Sequence, residues 1–230
     1  MRPVQIDERL QTVAAFVPAG ARAAEIGCDH AYLICSLAES GKIAHGLACD
    51  LNAGPLAQAR REVETHKLGD RVECRLGDGL SCVGQDEVDT VIIAGMGGET
   101  IAAILDACTW ESKTDKLFVL QPMTRAPLLR RWLYRNGYVI ETESACIAAG
   151  HPYTVMRVRY AGKCIEIGEY ELYAYIGDLG QHPCRAAREY IRRAAVSLVR
   201  RENGLLGTNP TVARQLRVLS NKMLAMTEGW

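Results

Sequence analysis

The chain of 230 residues is long enough to bury a full core, and its 48% hydrophobic and 23% charged residues are those of an ordinary globular protein. No run approaches the ~18 uninterrupted apolar residues of a membrane span, and Asp7 and Glu8 stand where a signal peptide would carry its apolar centre, so the chain is expected in the cytoplasm. The formal net charge of zero conceals an asymmetry: residues 1–160 carry 17 Lys and Arg against 20 Asp and Glu, whereas residues 181–230 carry nine against three, a net of plus six that suits either an anionic partner or a solvated helix face.

Through the first 160 residues, β-like and helix-like runs alternate. Strands are expected at 22–26, 44–49, 71–76, 88–94 and 116–121, several of them apolar throughout, as strands covered on both faces of a parallel sheet are. Helices are expected among them at 32–40, 55–67, 100–107 and 127–136, and two further strands, 138–144 and 154–160, follow with only a loop between them. Five α/β units closed by an antiparallel hairpin predict an α/β fold: a doubly wound open sheet with its ligand at the carboxyl ends of the strands. Gly162, Gly168, Gly177 and Gly180 mark a mixed, acidic stretch, so a domain boundary is placed there, with residues 1–160 as the sheet domain and residues 161–230 as a linker and a basic helical hairpin. In the hairpin, Cys184, Ala187, Ile191, Ala194 and Leu198 repeat at helical spacing, as do Val212, Leu216, Leu219, Met223 and Met226 after the breaker NGLLGTNP, which makes the pair coiled-coil-like. The nine cysteines include no Cys-x-x-Cys pair, and their odd number argues against a disulfide framework. No metal is expected, and most of the cysteines read as small core residues.

The stretch AAEIGCDHAYL, residues 23–33, joins the first strand to the first helix with Gly27 alone, where a dinucleotide-binding turn needs three glycines. An NAD-binding oxidoreductase is therefore disfavoured. S-adenosylmethionine carries no phosphate, tolerates one glycine at the tight turn, and has cationic groups that favour the carboxylates of Glu25 and Asp29. Cys28 and His30 share the turn and are counted in the expected cofactor site. Asp50, followed by Leu51 at the end of the second strand, sits where an acid reaches ribose hydroxyls, and Asp78 beside Gly79 can accept from an adenine amino group after the third. The fourth strand ends in IIAGMGGE, where Gly95 and Gly97 leave open backbone and Met96 offers a polarizable surface to a flat ring.

Four stretches, DERLQTVAAFVPAGARAAEIGCDHAYL, RLGDGL, VDTVIIAGMGGETIAAIL and LFVLQPMTRAPLLRRWLYRNGYVI, resemble the bacterial tRNA (adenine(22)-N(1))-methyltransferase family, and the resemblance extends over essentially the whole chain. DHAYL and AGMGG together are its specific marks. The resemblance implies a Rossmann-like methyltransferase domain that binds S-adenosylmethionine and methylates N1 of an adenine in the D-arm region of tRNA, with a coiled-coil-like C-terminal domain that helps hold the tRNA. The chain departs from the family in two places. The family often carries Gly-Glu-Val where this chain has Cys49, Asp50 and Leu51, and Gln-Pro-Asn where this chain has Gln121, Pro122 and Met123.

Adenine N1 carries an in-plane lone pair and needs no base, so methyl transfer is an in-line displacement in which positioning dominates. The product ring is cationic, and a carboxylate near N1 or N6 would stabilise the transition state. Asp29 is the expected catalytic residue, with His30 either an alternative polar contact or, more simply, the cap of the following helix. Contact with tRNA is expected from Arg125, Arg131 and Arg135, facing out from a helix whose Leu128, Leu129, Trp132 and Leu133 pack inward, and from Arg192 and Arg193 on the hairpin. A monomer is expected. The competing readings are a methyltransferase for another RNA base and a non-catalytic RNA-binding protein that keeps the cofactor fold.

Overall fold

In the computed structural model, which describes residues 3–230, a helix absent from the expected elements precedes the sheet: α1 (Glu8–Phe16). Asp7 caps it, its Oδ1 accepting from the Leu10 N–H at 2.8 Å, and Val13 and Val17 anchor it in the core. The alternation then runs β1 (Ala21–Ile26), α2 (Tyr32–Glu39), β2 (Ile43–Asp50), α3 (Ala53–Thr65), β3 (Val72–Leu76), β4 (Thr90–Gly97), α4 (Gly98–Asp106), β5 (Leu117–Thr124) and α5 (Ala126–Arg135), and ends in β6 (Tyr138–Ala148) and β7 (His151–Tyr160). The sheet order is β3-β2-β1-β4-β5-β7-β6, parallel through the first five and antiparallel at β7 and β6. This is the expected doubly wound, Rossmann-like sheet. Its order reverses between β1 and β4, where a crevice opens at the carboxyl ends of the strands.

Both faces are covered, which is why the central strands could read as apolar throughout. On one face Ile26, Leu47 and Ile93 pack with Ile101 and Leu105 of α4 and Leu129 and Leu133 of α5. On the other, Ala23, Ala48 and Ile92 pack with Val13 of α1, Leu33 and Leu37 of α2 and Leu56 of α3. Of the nine cysteines, all free, Cys28, Cys35, Cys49, Cys108 and Cys146 are buried, while Cys164 and Cys184 are exposed. The loop expected between β6 and β7 is a two-residue turn. Ala149 and Gly150 both take left-handed φ values, 48° and 73°, the geometry that matches the twist of the paired strands.

Residues 161–180 differ from an open linker. They contain α6 (Leu172–Ile176), tied to the sheet domain by Arg130 of α5, and a 3-10 turn over Gly177–Gln181, tied to it by Glu143 of β6. The side chains of Arg130 and Glu143 (β6) are fully buried. Arg130 Nη2 donates to Glu143 Oε1 at 2.6 Å, and Nη1 donates to the carbonyls of Ala174 and Tyr175 at 3.0 and 2.9 Å. Thr154 Oγ1 of β7 and the Asp178 N–H complete the carboxylate's partners at 2.6 and 3.1 Å. A buried charge pair survives only when its remaining donors and acceptors are met, as they are here.

The hairpin is present as α7 (Arg185–Leu205) and α8 (Pro210–Thr227). Its inner stripe is Ala187, Ile191, Ala195 and Leu198 against Leu216, Leu219 and Met223. Ala195, rather than Ala194, turns inward, and Cys184 is the exposed cap of α7. Asn203 and Gly204 of the expected breaker continue α7, and the chain reverses only over 206–209, where Asn209 Oδ1 caps α8 by accepting from the Val212 N–H at 3.2 Å.

Candidate functional site

The carboxyl ends of β1, β2, β3 and β4 gather the acidic and glycine residues singled out in the sequence. Gly27 has a φ of 71°, a left-handed conformation that favours glycine, and a Cβ there would displace the end of the Met96 side chain of β4. Asp29 and Ala31 are also left-handed, with φ of 51° and 59°. Non-glycine residues in that region store strain, and such residues cluster at ligand clamps. Asp50, 8% exposed, fastens the turn: Oδ2 accepts from the Asp29 N–H at 3.1 Å and Oδ1 from the Asn52 N–H at 2.8 Å. Each oxygen keeps a further lone pair for a ligand hydroxyl. Asp78 and Leu51 lie exposed at the rim, and Gly79 turns with a φ of 54°.

Two expectations for this turn are corrected. His30 does not cap α2: the cap position is Ala31, which makes no side-chain cap bond, and the His30 ring instead stacks on Tyr32 at 5.4 Å. The cap role falls to Glu25, whose Oε2 accepts from the Ile34 N–H at 3.1 Å from within the sheet. Glu25 therefore does not stand openly beside the turn; it is 6% exposed, and burial pushes its carboxyl up to about 8 against the pull of that N–H and of Arg9. Because this carboxyl holds its proton longer in the folded chain, the stability it contributes is full below its ordinary 4.5 and is lost as pH rises to about 8. Glu25→Gln keeps the acceptor oxygen and removes the titration. It should unfold at a higher temperature than the wild type at pH 9 and gain little at pH 5, a divergence on the order of 4 kcal/mol at 1.36 kcal/mol per pKa unit. Parallel pH profiles of thermal unfolding would remove Glu25 as the titrating group.

Arg9 and Gln121 were not anticipated as site residues. Gln121 is fully buried within β5, and its Oε1 accepts from Arg9 Nη1 at 2.6 Å and from the Gly95 N–H at 3.0 Å. Its Nε2 donates to the Pro122 carbonyl at 3.0 Å. Gln121 thus fixes the ends of β4 and β5 together, where Gly95 has a φ of 85° and exposes its backbone beside Arg9. A polar residue closing an apolar strand, FVLQP, was the available signal; Arg9 gave none, since its helix was not anticipated.

The arginines expected to meet tRNA fall into different settings. Arg125, left-handed at the start of α5, is 66% exposed, with Glu99 at 3.9 Å. Arg131 is half-buried and donates to the Ile167 carbonyl at 3.2 Å. Arg192 is exposed, and Arg193 is shared among Glu189, His151 and the Gly150 carbonyl. Arg135 is not brought together with the others. It closes the ten-residue α5, about 15 Å along the axis from Arg125, and pairs with Glu166 at 3.0 Å.

Residues 6–156 match the family described as Methyltransferase domain. The tRNA (adenine(22)-N(1))-methyltransferase of Bacillus subtilis (strain 168) is 38% identical over 156 residues, which are 68% of this chain and 66% of that protein, so the match spans just under two thirds of that relative. The crystal structure of the B. subtilis m1A22 tRNA methyltransferase TrmK is similar over 98% of each chain, at 28% identity and a TM-score of 0.82. Streptococcus pneumoniae Sp1610 in complex with S-adenosyl-L-methionine is similar over 96% of this chain and 100% of that one, at 29% identity and a TM-score of 0.83. The kinship read from DHAYL and AGMGG is borne out by these relatives. With its sheet order, its glycine corner at β1 and a family match over residues 6–156, the chain belongs to the methyltransferase domain family.

Proposed function

We propose that the chain is an S-adenosylmethionine-dependent methyltransferase that methylates N1 of an adenine in tRNA, at position 22 by kinship, acting in the cytoplasm as a monomer. The observation that carries this reading is Asp50, whose two oxygens each hold one backbone N–H beside the Gly27 turn and keep lone pairs for a ribose diol. The cofactor site also takes in Cys28, Asp29, His30, Leu51, Asp78, Gly79, Gly95, Met96 and Gly97, with Glu25 beneath the turn as the buried cap of α2. When bound, S-adenosylmethionine supplies the electrophilic methyl group. The Gly27 corner leaves room above the strand ends, Asp78 accepts from an adenine amino group, and Gly95 and Gly97 let the flat base approach the backbone. Asp29, its side chain 72% exposed above the turn, faces the methylated ring and stabilises its cation or takes the N6 proton. Arg125, Arg131, Arg192 and Arg193 hold phosphates, and residues 161–230 form the tRNA-holding unit, docked on the sheet through α6.

Asp50→Ala should weaken S-adenosylmethionine binding by about 1.5–3 kcal/mol, the cost of leaving charged hydrogen bonds unmade. Calorimetry with S-adenosylhomocysteine checks it, with circular dichroism as the control for the two lost backbone bonds, and an unchanged Kd would end the ribose assignment. The function itself is tested by incubating the protein with a tRNA transcript and S-adenosylmethionine. The expected product is 1-methyladenosine in the nucleoside mass spectrum, with a reverse-transcription stop at position 22. Another methylated base would favour the other-base reading, and cofactor binding without methyl transfer would favour the non-catalytic one.

A further inference from the structure

Beside the cofactor edge, a groove of about 510 Å³ opens between the end of β5, the β6–β7 turn and α7. Its walls are largely apolar: Pro122 and Met123 from β5, Pro152 and Tyr153 from β7, and Ala194 and Leu198 from α7. Two arginines also line it. Arg125 is the more exposed, and Arg193 is held against the turn by the Gly150 carbonyl at 2.7 Å and His151 Nδ1 at 3.0 Å. A second cavity of about 310 Å³ shares Arg125 and Leu198 and adds Arg131 and Arg201. An apolar slot framed by guanidinium groups has the chemistry of a nucleobase with its phosphates: Arg125, Arg193 and Arg201 each have one exposed carboxylate nearby, Glu99, Glu189 and Glu169, and exposed pairs of that kind exchange readily for a phosphate.

We propose that this groove receives the unstacked base of a nucleotide next to the target adenine, with the backbone phosphates of that strand on Arg125 and Arg193. The inference rests on RNA being the substrate, as proposed above, and adds the path by which the strand leaves the site. Pairing sets the distance. Pro122 lies opposite Met96 and Thr124 opposite Gly97, so the β5 wall is one strand from the cofactor edge and the β7 wall two strands, roughly 10 Å at ~4.8 Å per strand. An adenine whose N1 faces the end of β4 does not also fill the space between β7 and α7; its neighbour in the strand does. RNA-reading proteins take splayed bases onto aromatic rings, and enzymes that act on a base unstack it from its neighbours. Tyr153 is the ring on which this base stacks, with Met123 across the groove.

The test uses the full chain and a tRNA transcript carrying an abasic residue on either side of the target adenine, with affinity measured by filter binding in the presence of S-adenosylhomocysteine. One of the two abasic transcripts should bind the wild-type protein about five- to a hundredfold more weakly. Tyr153→Ala should lower affinity for the intact transcript by a similar factor and have no further effect on that abasic one, while Tyr153→Phe, which keeps the ring, should bind as the wild type does. Full affinity for both abasic transcripts, or losses from Tyr153→Ala and the abasic site that multiply, would overturn the proposal. An intact transcript that is methylated without these penalties removes the groove alone. One that shows the penalties without being methylated supports the groove and removes the methylation reading.

Discussion

Arg130→Met should destabilise the fold by about 3–5 kcal/mol, the cost of leaving the buried Glu143 carboxylate without its charge partner. That is a large share of the total stability of about 5–15 kcal/mol that domains have. The lost side chain also deserts the Ala174 and Tyr175 carbonyls, which belong to α6, so the C-terminal unit loses two of its hydrogen bonds to the sheet domain at the same moment. Arg130→Met combined with Glu143→Gln should recover much of the loss, because no unpaired charge then stays buried; the glutamine oxygen can accept from the Asp178 N–H while its NH2 donates to Thr154 Oγ1, a hydroxyl that accepts as well as donates. Denaturant unfolding of the two single variants and the double variant measures the coupling. A single variant within about 0.5 kcal/mol of the wild type would mean that the pair does not hold these elements together.

Asp29→Asn should lower the turnover number by roughly a hundredfold or more, with folding intact. Its backbone φ is 51°, a region that Asn tolerates as readily as Asp, and the bond that fastens this turn runs from the backbone N–H to Asp50, not from the side chain. Structure and charge are therefore separable at this position. Single-turnover methylation at saturating cofactor and tRNA isolates the rate, with cofactor affinity measured beside it. A wild-type rate would remove Asp29 from the chemistry, and an equal loss in cofactor affinity would make it a binding residue instead.

What the chain alone made legible was local. The apolar runs of β1, β2, β4 and β5 announced a parallel sheet because both of its faces are covered, and the three- and four-residue spacing of Leu216, Leu219 and Met223 announced a helix with one buried face. The lone Gly27 and the acids Asp50 and Asp78 at successive strand ends were readable as a candidate site because topology sends every such end to one edge. What only the tertiary structure decided were pairings between distant residues. Arg9 meets Gln121 across 112 positions, and Arg130 meets Ala174 across 44, and neither separation has any periodicity. Glu25 looked like an open carboxylate beside a turn, yet its place inside the sheet made it a buried cap with a raised pKa; burial, which decides that, belongs to the packed chain. The five arginines were alike in the sequence, and only packing set Arg125 at the groove and Arg135 about 15 Å away on Glu166, because a side chain's partners follow from where its helix docks.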